Sequence, residues 1–177
     1  VSEAPRGEER INAAERHERL AADERAQRLI GTVHGTIVSA SVLAVSGGVS
    51  STLEAAEAGL YVLATVVVFW IAHGWGHALG FRAAGMPEHG FFKCLRDQLP
   101  ILESVIPPLV AMGLAEAFGA SADAAIDFAI WVCVGQLGLL GVGVARREGL
   151  PPHRVLTTAL GCAGLGLVMV ALKAIVH

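Results

Sequence analysis

Twelve of the thirteen lysines and arginines of this chain fall in alternate gaps between long apolar runs, and that alternation limits the fold more than any motif does. The runs cover about residues 29–53, 58–81, 98–118, 124–145 and 155–176. Arg6, Arg10, Arg16, Arg19, Arg25 and Arg28 precede the first run. Arg82, Lys93 and Arg96 separate the second from the third, and Arg146, Arg147 and Arg154 separate the fourth from the fifth. The two remaining gaps hold no basic residue; they and the adjoining run ends carry Glu54, Glu57, Glu116, Asp123 and Asp127. Only Lys173 departs from the rule. A membrane span takes roughly 20 apolar residues, and basic residues gather on the cytoplasmic side. The expected fold is therefore an all-α, five-span transmembrane helical bundle with its N-terminus cytoplasmic and its C-terminus extracytoplasmic.

Five such runs use most of the 177 residues, of which 54% are hydrophobic and 16% charged, so no second folded domain has room. Residues 1–28 read as a charged cytoplasmic helix and residues 29–177 as the transmembrane domain. The helix is rich in Ala, Glu and Arg, which favour helix, and Glu15–Arg19 and Glu24–Arg28 stand four apart in the stabilising order. It lacks an apolar stripe, which suits a solvated arm or the docking element for a cytoplasmic partner. Its arginines alternate with acids, which argues against nucleic acid as a partner. No cleavable signal peptide is legible, because the first apolar run starts late, near residue 29.

Local punctuation is clear in places. The stretch 46–52 is a Gly/Ser turn, and Gly85 stops the second helix ahead of a loop, 83–98, that contains Pro87 and interfacial Phe91 and Phe92. Pro107–Pro108 sit inside the third run, where they free backbone carbonyls that neighbouring helices must satisfy. Small residues recur four apart at Gly31/Gly35 and Gly76/Gly80. Such pairs allow close helix approach, either within one bundle or between copies of a homo-oligomer. Trp70 and Trp75 read as packing or lipid-facing residues. Cys94, Cys133 and Cys162 have no CxxC partner and read as reduced apolar fillers.

Ionisable groups within spans are expensive, and here they share a depth. At about 1.5 Å per residue, His34, His77 and Glu103 lie roughly 7–9 Å from the nearest charge of the basic side, and His73 lies near 13 Å. His73 and His77, four apart, project from one helical face. Two imidazoles in that register suit one metal ion, with His34 and Glu103 completing a shell. Three nitrogens and a carboxylate suit zinc, iron, manganese or copper. The same groups also suit a proton or cation channel or transporter, with the acidic residues at the opposite mouth and Gln136 midway. Haem ligation needs a facing pair of histidine-bearing helices that is not evident. Hydrogen bonding between helices, within a structural or accessory subunit, needs no ligand at all. A metal-binding or permeation protein is preferred to an enzyme, and no catalytic residue is assigned.

The stretch 72–87, AHGWGHALGFRAAGMP, resembles the HExGH segment of site-2-type intramembrane zinc proteases. The resemblance implies His73 and His77 as zinc ligands; Gly74 stands where that family has its general base, so proteolysis is not implied. More broadly, a charged helix leading into a span with Gly31–Thr32 or Gly35–Thr36, and Phe69, Trp70, Ala72 and His73 in the second, resembles small multipass membrane proteins of high-GC bacteria. That resemblance implies a multipass protein of the bacterial cytoplasmic (inner) membrane, surrounded by lipid.

Overall fold

The computed structural model describes residues 4–49, 54–86 and 90–176. The described residues form seven helices: α1 (Ala4–Val49), α2 (Ala55–Ala83), α3 (Phe91–Asp97), α4 (Leu99–Glu103), α5 (Ile106–Ala117), α6 (Ala122–Arg147) and α7 (Pro152–Val176), with no strand among them. Four helical segments, Ala14–Ser46, Ala55–Ala83, Phe91–Ala117 and Ala122–Arg147, are long and apolar enough to cross a membrane. Their outward faces stay apolar: Leu60, Val68, Leu139 and Phe118 are 66–87% exposed. In water that would make an extended apolar surface of the kind soluble monomers avoid.

The charged arm and the first apolar run are one uninterrupted helix of 46 residues. Around it α2, α4, α6 and α7 pack, so α1 is the hub of the bundle. Its buried face is made of small residues: Gly31, Gly35, Thr36, Ser39, Ala40 and Ala44. The hydroxyls on that face bond to their own helix, Thr36 Oγ1 to the Thr32 carbonyl and Ser39 Oγ to the Gly35 carbonyl, each at 2.8 Å. A polar side chain that bonds four residues back leaves nothing unsatisfied where water is absent. Below this face Leu43 meets Val62, Val66, Ile126 and Ile130 in the apolar core.

Helix ends follow local chemistry. Gly85 and Gly149 close α2 and α6 in the left-handed region, with φ of 75° and 66°. Each is followed by the back-bond of a Schellman cap, Met86 N–H to the Phe81 carbonyl at 2.9 Å and Leu150 N–H to the Ala145 carbonyl at 3.1 Å. Ser121 Oγ caps α6 by accepting from Ala124 N–H at 3.3 Å. The α6–α7 pair is antiparallel and close: a Cβ on Gly141 would meet the Ala159 backbone at 2.9 Å, and one on Gly166 would meet Val134 Cα at 3.0 Å.

Two local expectations change. Ser46–Val49, expected as turn, remain helical at the end of α1; residues 50–53 and Pro87 lie outside the described residues. Residues 91–97, expected as loop, form α3, because Gly90 provides an extended N-cap and no breaker follows until Pro100. The helix buries Cys94 and lays Leu95 against Gly74 of α2, where a Cβ would lie 3.2 Å from Leu95 Cα. Phe92 is 82% exposed, whereas Phe91 stacks edge-on to Trp75 at 5.6 Å. None of the three cysteines forms a disulfide, and Cys94 and Cys133 are buried.

The third segment is broken where proline places the break. α4 ends at Glu103, and the chain tightens through Ser104 and Val105, with Val105 N–H reaching the Leu102 carbonyl at 3.3 Å. α5 then starts with Pro107 and Pro108 in its first turn, where proline is tolerated. Pro108 has no N–H, so the Ser104 carbonyl loses its helical donor. Gln136 of α6 replaces it, donating from Nε2 to the Ser104 oxygen at 3.3 Å. Replacing Gln136 by leucine should cost about 1–2 kcal/mol in detergent unfolding. The loss should shrink in a Pro108→Ala background, where an N–H returns to the Ser104 carbonyl; equal losses in both backgrounds would show that the two sites are independent.

Candidate functional site

The α2 helix carries Phe69, His73, His77 and Phe81 at intervals of four, so their rings climb one slowly winding face. Successive ring centres are 5.0 Å, 5.7 Å and 6.4 Å apart. The hub helix brings a third imidazole to this row. His34 lies 5.5 Å from His73 and 6.5 Å from Phe69, centre to centre. His34 is exposed, and His73 and His77 are half-buried. The row therefore lines the outer seam between α1 and α2 rather than the apolar core.

What holds His34 there is the packing one residue along. A Cβ on Gly35 would collide with Ser104 Oγ and the Ile101 carbonyl, and one on Gly31 would touch Pro100 at 3.3 Å. Only glycine lets α1 approach α4 so closely. Below this contact, Gln98 Nε2 of the third segment donates to Gln27 Oε1 of α1 at 3.3 Å. On the other side of the row, Trp70 Nε1 donates to the Leu95 carbonyl at 2.9 Å and ties α2 to α3. Trp70 is thus a packing residue that also satisfies a backbone oxygen.

The His34 ring has a defined proton arrangement. Its Nδ1 sits 2.8 Å from the Ile30 carbonyl, which can only accept. In the neutral ring Nδ1 therefore carries the hydrogen, and Nε2 presents a lone pair. This is the arrangement in which a second hydrogen bond orients a metal-binding histidine.

An imidazole nitrogen lies about 2.0–2.1 Å from zinc, so two imidazoles on one tetrahedral ion have ring centres on the order of 5 Å apart. The His34–His73 and His73–His77 spacings are close to that value, and His73 is common to both. Among the described residues, no group of three or more His, Cys, Asp or Glu is arranged to hold one ion. Glu103 is exposed at the end of α4, next to Ser104, and Ser104 packs on Gly35, the neighbour of His34. Glu103 thus shares the layer of His34 but is not part of the ring contacts.

Two ring neighbours, Phe69 and Phe81, were not assigned to the site from sequence, although their four-residue interval with His73 and His77 was there to be read. Gln136 was placed midway across the bundle; its Nε2 is used, and its Oε1 is buried without a partner. No family model matches this chain, and no curated protein or solved structure matches it significantly.

The proton arrangement is directly measurable. In the metal-free protein, nitrogen-15 spectra of selectively labelled histidine should show His34 as the Nδ1–H form with an unprotonated Nε2. Finding the Nε2–H form instead would remove the lone pair from the row.

Proposed function

We propose that the chain is a five-span protein of the bacterial cytoplasmic membrane, N-terminus inside, whose imidazole cluster binds a transition-metal ion near the cytoplasmic face. One observation supports the reading most directly. A separate helix delivers His34 to His73 at 5.5 Å, nearly the spacing at which His73 meets His77, 5.7 Å. A hydrogen-bonding role for histidine alone does not call for three rings at ligand spacing on a seam. In this reading His73 and His77 are the core ligands, His34 adds a nitrogen through Nε2, and Glu103 is the carboxylate available in the same layer. Neutral imidazole binds zinc, iron, manganese or copper, and the protein's own part is to orient the nitrogens and to keep the site open on one side. The bound ion would serve transport, sensing or stabilisation.

Protein purified without chelator and without oxygen should carry metal in elemental analysis. His73→Ala should abolish binding, because both spacings run through that ring. His34→Ala should weaken it by about 10–100-fold. Binding should hold at pH 8 and fall toward pH 5, since ligand imidazoles must be neutral and protons compete for them. Absence of metal from the purified protein at pH 8, with no added zinc or cobalt retained, would overturn the reading.

A second reading, a proton or cation path, draws on one different observation: the unpartnered Gln136 Oε1 beside the break in the third segment. Irregular backbone at membrane depth is tolerated where it lines a cavity. Proton flux into liposomes should then fall in Glu103→Gln and in Gln136→Leu; flux equal to that of empty liposomes would retire it.

A further inference from the structure

Helix α3 is held against the side of α2 rather than at its end. Phe91 meets Trp75 edge-on at 5.6 Å, Leu95 lies on Gly74, and the Leu95 carbonyl accepts the Trp70 indole hydrogen at 2.9 Å. Arg82 stands about 10 Å farther along α2 than Trp75 at the helical rise. The short helix therefore lies at the level of Trp70–Trp75, not at that of Arg82. Farther along α2, Gly76 and Gly80 have nothing within 4 Å of where a Cβ would stand.

The two sides of α3 differ in chemistry. Cys94 is buried and Leu95 packs inward, whereas Phe92, Lys93 and Arg96 are exposed. Phe92 and Arg96 are four apart and Lys93 and Arg96 three apart, so the three share one face. Asp97 is the one acid of α3. The bond from Gln98 to Gln27 sets Arg28 of α1 within a turn of the same height. Three cations thus stand against one acid in this layer. The rings beside them are contiguous, since Phe91 lies 5.6 Å from Trp75 and 5.6 Å from Phe92. Phe92 is 82% exposed and Trp75 52%.

We propose that the outer face of α3 binds the headgroup of an anionic phospholipid, with Lys93 and Arg96 on the phosphate oxygens and Phe92 and Trp75 along the glycerol and the first acyl carbons. The inference rests on the membrane placement of the bundle and not on the metal. Four apolar helices with apolar outward faces make lipid the neighbour that a membrane supplies here. A cation pair flanked by exposed rings matches a molecule that is charged at one end and apolar at the other. An acidic soluble segment would meet the cations and leave Phe92 in water. A second copy related by a two-fold axis would set Lys93 and Arg96 against the same cations. A neutral lipid would cover the rings and leave the cations without an added charge, which an anionic headgroup supplies. Arginine contributes a fork that fits two phosphate oxygens, and lysine a point charge. The headgroup layer then passes through His73, which lies between Trp70 and Trp75 in α2, so the imidazole row opens on water and headgroups rather than on hydrocarbon.

The test uses the full chain in neutral detergent, titrated with phosphatidylglycerol or phosphatidylcholine, with bound lipids counted by native mass spectrometry. The wild type should bind the first phosphatidylglycerol about tenfold or more tighter than phosphatidylcholine. Lys93→Gln and Arg96→Gln should each lower that preference by about fivefold, with the unfolding temperature in lipid-free detergent unchanged. Phe92→Ala should weaken both lipids alike and leave their ratio as it was. Arg146→Gln with Arg147→Gln removes two exposed cations from the end of α6 and should leave the preference intact. Equal binding of the two lipids by the wild type would overturn the proposal. So would an equal loss from the α6 pair, which would make the effect one of overall charge. A dimer that the Lys93→Gln, Arg96→Gln double variant dissolves would assign the face to a second copy instead. Metal-stripped protein should show the same preference, so the outcome is independent of whether the imidazoles hold an ion.

Discussion

The approach of α1 to the third segment at Gly35 is the contact on which the remaining geometry depends. Where a side chain on α1 would otherwise stand, Ser104 Oγ and the Ile101 carbonyl are present. The contact requires glycine on one helix and a broken, tightly wound chain on the other. Two consequences follow from it. His34, one residue away, is turned toward α2 and meets His73. Ser104, on the opposite side of the contact, offers its carbonyl to Gln136 of α6. The imidazole row and the mid-bundle polar bond are thus two products of one close packing, and α1 is the helix through which both are set.

Several polar side chains of α1 follow one pattern: each is satisfied by the backbone of its own helix. Thr32, Thr36, Ser39 and Ser41 all bond four residues back on α1, and His34 does the same through Nδ1. For a hydroxyl this ends the matter. For imidazole it does not, because the second nitrogen is left with a lone pair directed away from its own helix. A serine at position 34 would be inert; a histidine at the same place becomes a ligand or a base. The unpartnered Oε1 of Gln136 is the comparable case on α6, where the amide uses its donor and retains an acceptor.

Much of this was legible in the residues. The long apolar helices, the stop at Gly85, the break near Pro107–Pro108 and the need for a neighbour to satisfy the freed carbonyl all follow from properties that act along the chain: transfer of apolar side chains, the missing N–H of proline and the left-handed freedom of glycine. The matched depth of His34 and Glu103 was also legible, since helix rise converts sequence distance into height. Height says nothing about azimuth, so the sequence placed Glu103 in the same layer without saying whether it faces the imidazoles. The helix at 91–97 was missed for a similar reason. It is short, and what holds it is the fit of Leu95 into the space above Gly74, a contact between residues distant in the chain.

By itself, then, the sequence determined where the long apolar helices run and where glycine and proline interrupt them, because these depend on the chemistry of single residues and their immediate neighbours. The tertiary structure alone decided which of two equivalent glycine pairs is buried against its own chain and which stays open, and that the ring meeting His73 comes from α1. Those outcomes depend on shape complementarity between surfaces, and a surface exists only after the helices have been placed side by side.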